Sequence, residues 1–270
     1  MQRVITAVFL LPSLWLLVKH APVWMFLVVA TVAAIIAVWE CARMLRTDGG
    51  PPFSLFAMLA AALLVLRHLP AMPHLDPLAI LIALTAVTMM AAMWTRPDPP
   101  AMLRSVCGTL FPTVLVGGAI SSIALLREIG GEPSQDMLVL LFLCVMAGDT
   151  FAYYIGRSFG RHPLAPALSP KKTWEGAIGA LFGSTLAALA AHFWFFQGLP
   201  LHHALILGIV LGVAGILGDL AESVVKRATG VKDSSGLLPG HGGLLDRIDS
   251  LLFAGPVLYL YYDWLLRGLV

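Results

Sequence analysis

Apolar stretches broken by proline, glycine and charge recur along the whole chain, near residues 4–18, 22–39, 53–66, 77–94, 102–126, 136–156, 174–196, 203–225 and 251–266. Most approach about 20 residues, the length of helix that crosses the hydrocarbon core of a bilayer. The pattern predicts an all-α integral membrane protein, a polytopic bundle of about nine transmembrane helices. Two long polar loops interrupt it, about 157–173 and 227–250. The first apolar stretch is short and follows Arg3, as in a signal peptide. The chain continues past Lys19 and His20 into another span with no small-residue cleavage site, so a retained helix is expected. No internal repeat or low-complexity segment interrupts the series. The helices of residues 1–130 are plain apolar rods, whereas polar residues enter the helices and loops of 131–270, the expected catalytic region.

Composition agrees with this reading. Apolar residues make up 59% and charged residues 12%, with a mean hydropathy of +0.88. A soluble domain has roughly 45–50% and 25%, so a separate soluble domain has no room here. The net charge of +2 argues neither for nor against nucleic acid. The three cysteines, Cys41, Cys107 and Cys144, are odd in number and widely spaced in or beside apolar runs, and are expected to be small core residues.

The position of the charges is more informative than their sum. Nine spans alternate the sides of the loops. Arg3, Arg43, Arg46, Arg96, Arg104, Arg157, Arg161, Lys171, Lys172, Lys226, Arg227, Lys232 and Arg247 then fall on one side, 13 of the 17 basic residues. By the positive-inside rule that side, with the N-terminus and both polar loops, is cytoplasmic.

Chemistry concentrates toward the C-terminus. The eighth apolar run ends in Asp219, Glu222, Ser223 and Lys226, which share one helix face at i, i+3, i+4 and i+7. A charged group at mid-membrane costs about 2.5–3.5 kcal/mol on insertion scales, so such a stripe needs a cause. Either these groups pair with one another at an interfacial helix end, or they line a hydrated cavity holding a divalent cation and phosphates. The following loop, 232–249, carries Gly240, Gly242 and Gly243, which let backbone N–H groups approach phosphate oxygens. Beyond it, Asp246 and Asp249 at i, i+3 can aim two carboxylates at one hard cation. In the other loop, Lys171 and Lys172 precede a helix N-terminus that Ser169 with Pro170, or else Thr173, is expected to cap. Cations there oppose the helix dipole unless an anion, or a lipid headgroup, occupies the site. Asp149 is a candidate third carboxylate or a structural acid, and Tyr153, Tyr154 and Trp174 read as interfacial anchors.

Ser223-Val224-Val225-Lys226-Arg227, Lys232-Asp233, Pro239-Gly240-His241-Gly242-Gly243 and Asp246-Arg247-Ile248-Asp249 together resemble the signature of the phosphatidate cytidylyltransferase family, with no departure over 223–249. Gly148-Asp149-Thr150-Phe151-Ala152-Tyr153-Tyr154-Ile155-Gly156-Arg157 and Ser169-Pro170-Lys171-Lys172-Thr173-Trp174-Glu175-Gly176 are also similar to that family; the first 130 residues resemble it only as apolar helices.

The resemblance implies transfer of CMP from CTP to phosphatidic acid, giving CDP-diacylglycerol and pyrophosphate. It implies a bacterial inner membrane enzyme of phospholipid synthesis with Mg²⁺, a second metal ion being open, no nucleic acid, and an open question of homodimerisation. On that basis Asp219, Asp246 and Asp249 are expected on metal, with Asp149 and Glu222 as further partners. Lys226, Arg227, Lys232 and Arg247, with Lys171, Lys172, Ser223 and the loop glycines, would hold phosphates; His241 is either a phosphate donor or a structural residue. Two rivals use similar parts. A CTP-dependent lipid kinase would transfer the γ-phosphoryl, and an ion-coupled transporter would run a polar path through Asp219, Glu222 and Lys226 but has little use for a glycine-rich loop. The D-G-x-x-A-R element of CDP-alcohol phosphotransferases is absent.

Overall fold

The computed structural model of the protein describes residues 13–46, 51–69, 72, 75–237 and 242–269. Eight apolar helices dominate it: α1 (Val23–Met44), α2 (Ser54–Leu66), α3 (Pro77–Thr95), α4 (Pro99–Glu128), α5 (Gly131–Phe159), α6 (Trp174–Trp194), α7 (Leu201–Ala228) and, after the four-residue α8 (Leu245–Ile248), α9 (Leu251–Leu266). Six of these are long and apolar enough to cross a membrane; α2 and α9 are shorter. The expected first helix, 4–18, falls largely outside the described residues, although 13–19 are helical. The chain is a multi-pass, all-α membrane protein.

Local sequence explains the helix ends. Asp76 and Asp98 each precede a proline at the start of a helix, and their carboxylates accept from Leu78 N at 3.0 Å and Ala101 N at 2.7 Å. Pro112 lies inside α4, where it cannot donate to the helical ladder, and a π-helical turn follows at Thr113–Gly117. Within the apolar helices, hydroxyls return to the backbone one turn back, as Thr31 does to Leu27 O and Thr88 to Leu84 O, both at 2.7 Å. Large apolar side chains face outward, Trp94 and Trp194 among the most exposed, as a lipid solvent requires.

The helices pack as two compact units. The first comprises the residues up to Ala124 together with Val225–Arg247. In it Ala60 and Leu64 of α2 pack with Ile80 and Leu84 of α3, and Ser121 of α4 donates to Leu64 O at 2.7 Å. The segment 225–247 from the C-terminal half of the sequence thus packs with the N-terminal helices. The second unit comprises Leu125–Val224 and Ile248–Val270. Here α5 and α6 lie against each other along most of their length, close enough that a Cβ at Gly183 would come within 2.7 Å of Ala147 O. Between them a short antiparallel hairpin, β1 (Pro163–Ala165) and β2 (Ser169–Thr173), replaces the expected loop. Thr173, not Ser169, caps α6, accepting from Gly176 N at 3.1 Å. Cys41 and Cys144 are buried as expected, but Cys107 is exposed on α4 and is no core residue.

Candidate active site

In the second unit, three carboxylates converge. Asp219 and Glu222 stand one turn apart on α7, and Asp249 follows α8 in a turn; one oxygen from each lies within 4.8 Å of the others. Gly218 makes this approach possible, because a Cβ there would come within 3.2 Å of the Ser250 Cα and carbonyl oxygen. Glu222 is 1% exposed and Ser223 beside it is also buried. Ser250 N donates to Asp249 Oδ1 at 2.7 Å, and Ser250 Oγ donates to Asp149 Oδ1 of α5 at 3.3 Å. Burial, then the charges of Asp219 and Glu222, push the Asp249 carboxyl well above its ordinary range.

The positive charge at this cluster comes from β2. Lys172 Nζ lies 2.6 Å from Asp219 Oδ2. Its buried nitrogen has no aligned hydrogen-bond partner among the described residues, so the contact is one of charge, and the ammonium N–H groups remain available to ligand oxygens. Lys171, the preceding residue, is exposed. The hairpin carrying both lysines is tied to α6 by Glu175, whose Oε2 accepts from Arg161 N and His162 N at 3.2 and 3.3 Å and whose Oε1 meets His162 Nδ1 at 2.6 Å.

A set of oxygen donors this close, partly buried and like-charged, suits a hard divalent cation, since a bound cation would offset the repulsion among them. The residues present therefore fit a metal ion at Asp219, Glu222 and Asp249.

Asp246 belongs to the first unit and is engaged differently. Its Oδ1 accepts from Lys226 Nζ at 2.8 Å, and its Oδ2 accepts from Ser234 N, Ser234 Oγ and Gly243 N at 3.0, 2.8 and 2.7 Å. Burial alone would raise this carboxyl, but the Lys226 ammonium and then the Gly243 and Ser234 donors outweigh it and hold it down at about 2. Helical spacing from Asp249 does not carry through, because α8 ends at Ile248 and Asp249 lies in the turn beyond it.

Arg227, Lys232 and Arg247 are exposed. Gly242 adopts φ +76°, a left-handed conformation open to glycine, and Gly243 is buried. Gly240 and His241 lie outside the described residues. Sequence reasoning missed Glu40: this residue of α1 is 0% exposed and meets the glycine loop directly.

Residues 1–265 match the model of the cytidylyltransferase family. Similar curated proteins include a phosphatidate cytidylyltransferase of Haemophilus influenzae, 40% identical over 184 residues, 65% of this chain and 62% of that protein. One of Brucella abortus is 45% identical over 150 residues, 54% of this chain and 53% of that protein. Phosphatidate cytidylyltransferase 5, chloroplastic, of Arabidopsis thaliana is 38% identical over 164 residues, 59% of this chain and 37% of that protein. The matched stretches cover less than two thirds of these relatives' own length.

Proposed function

The chain belongs to the cytidylyltransferase family, and from that premise we propose that it is a phosphatidate cytidylyltransferase, joining CMP from CTP to phosphatidic acid and releasing pyrophosphate. The observation that carries this reading is the triad Asp219, Glu222 and Asp249 beside the ammonium of Lys172. It combines a hard-cation site with a phosphate donor at the end of an apolar helix.

The nucleophile is the phosphate monoester of phosphatidic acid. Its second pKa near 6 leaves it largely dianionic at neutral pH, so no side chain need remove a proton. An oxygen of this group attacks the α-phosphorus of CTP; the bond from that phosphorus to the bridging oxygen breaks, and pyrophosphate leaves with the electron pair. The chain's task is to bring two polyanions together in line. Asp219, Glu222 and Asp249 would hold Mg²⁺, with Asp149 behind them through Ser250. When bound, that ion supplies charge neutralisation at the triphosphate and the leaving group. Lys172 and Lys171 on the hairpin, and Lys232, Arg227 and Arg247 about the glycine loop, bind and orient phosphates. Gly242 opens backbone to phosphate oxygens; Gly243, expected to do the same, is buried and donates its N–H to Asp246 instead. Asp246 and Lys226 keep that loop in shape. The basic residues sort to one side, so the site opens to the cytoplasm across a bacterial inner membrane.

The test is incubation of the purified, detergent-solubilised protein with phosphatidic acid, Mg²⁺ and each nucleoside triphosphate in turn. The expected outcome is lipid that takes up label from the α-phosphate of CTP or dCTP and from no other base. Label entering from the γ-phosphate would make the protein a lipid kinase instead. The absence of any lipid product would leave the transporter reading in its place.

A further inference from the structure

The buried glutamate of α1 has no role in the reaction just described, yet its surroundings are unusual. Glu40 is the one acidic residue of α1 and lies in the helix's last turns, where a carboxylate opposes the dipole. Burying an ionised carboxylate in apolar surroundings is costly unless donors surround it. The donors come from the glycine loop, about 200 residues along the sequence. Glu40 Oε1 accepts from Ser235 Oγ at 2.5 Å and Leu244 N at 3.1 Å, and Oε2 accepts from Leu245 N at 2.7 Å. Ser234 Oγ stands 3.2 Å from Oε2 but has a single proton and lies nearer, at 2.8 Å, to Asp246 Oδ2.

These donors are the two ends of one loop. Ser234 and Ser235 lead into it, and Leu244 and Leu245 lead out. One carboxylate therefore closes the neck, while Asp246 closes it a second time by joining Ser234 to Gly243. The fit is tight, since a Cβ at Gly243 would lie 2.6 Å from Glu40 Oε1.

We infer that Glu40 is a positioning residue: it clasps the neck of the 234–245 loop, so that Lys232, Gly242 and Arg247 meet phosphate already in place. This role rests on the phosphate-binding reading of the loop. It makes α1 a part of the working enzyme.

Two measurements on the full-length protein in detergent test it. The first is hydrogen exchange without substrate. In Glu40→Gln, which keeps the shape but loses the charge, amides of 234–237 and 242–245 should exchange at least about tenfold faster while those of α3 are unchanged. The second is kinetic. The KM for CTP should rise about tenfold or more, with most of kcat regained at saturating CTP as the substrate reorders the loop. Ser235→Ala, which removes one donor and keeps the carboxylate, should shift both readouts in the same direction by less, and it serves if Glu40→Gln does not fold. A purely structural role would lower the melting temperature and leave both KM and loop exchange of the folded protein as in wild type; that result overturns the inference. Faster loop exchange in a protein whose wild type makes no CDP-lipid would uphold the clasp and sink the cytidylyltransferase reading, so the two failures can be told apart.

Discussion

The two units of the molecule each gather carboxylates and surround them in opposite ways. In the first, the four oxygens of Glu40 and Asp246 accept from backbone amides, serine hydroxyls and one lysine, all supplied by the chain itself. In the second, Asp219, Glu222 and Asp249 face one another with Lys172 as the nearby cation. A carboxylate held in a medium of low dielectric keeps its charge only if something pays its desolvation. Where the fold provides the donors, the acid ties segments of the chain together. Where it leaves like charges together, a bound cation would complete the arrangement.

The largest effect should therefore come from the second unit. Asp219→Asn or Asp249→Asn removes a charge that would hold the proposed cation, and activity should fall at least about a hundredfold, some 2.7 kcal/mol in the barrier. Asp249→Asn should melt no lower than wild type in a chelator, since a repulsion has been relieved, whereas Asp219→Asn also strips Lys172 of a carboxylate and should melt lower; both should lose the rise in melting temperature expected of wild type with Mg²⁺. Asp249→Asn melting well below wild type without metal would show that the triad is a tie like its counterpart.

Gly218→Ala comes next. The added methyl would press on the Ser250 backbone and part Asp219 from Asp249. A stability loss of about 1–3 kcal/mol and a weakened Mg²⁺ dependence are expected, read from thermal melts and a metal titration.

Asp246→Asn should behave in the reverse sense. It removes the charge that accepts from Lys226, Ser234 and Gly243, so the metal-free protein should lose about 1–3 kcal/mol, with a smaller loss of activity than at Asp219 and the same Mg²⁺ concentration at half-maximal rate. A changed Mg²⁺ requirement would return Asp246 to the metal.

The smallest effect is in acid. The Asp246 carboxyl is held at about 2 in the folded chain, below its value of about 3.9 when unfolded. Its contribution is full above the unfolded value and is lost as pH falls through the folded one. The difference in melting temperature between wild type and Asp246→Asn should be constant above about pH 5 and shrink toward pH 2.

The periodicity of the sequence carried the apolar helices and one edge of the site. Asp219 and Glu222 were legible because both lie on a continuous helix, where i and i+3 share a face. The same spacing says less at Asp246 and Asp249, because a helix of four residues ends before the second of them. Lys172 was visible as a cation before a helix, but the hairpin that carries it was not, its strands of three and five residues being too short for an alternating pattern. Glu40 left no local signal. A single glutamate next to Arg43 reads as the rim of a span, and its partners are recognisable only once distant parts of the chain have met.

That separation sets an order on assembly. Glu40 leaves the ribosome 195 residues before Ser235, an interval of roughly 10–40 s at 5–20 residues per second. For that time the newly inserted helix carries an acid whose donors do not yet exist. The nascent chain must keep it at the water boundary or shelter it against another protein, and withdraw it into the apolar interior only when the loop that carries its donors arrives.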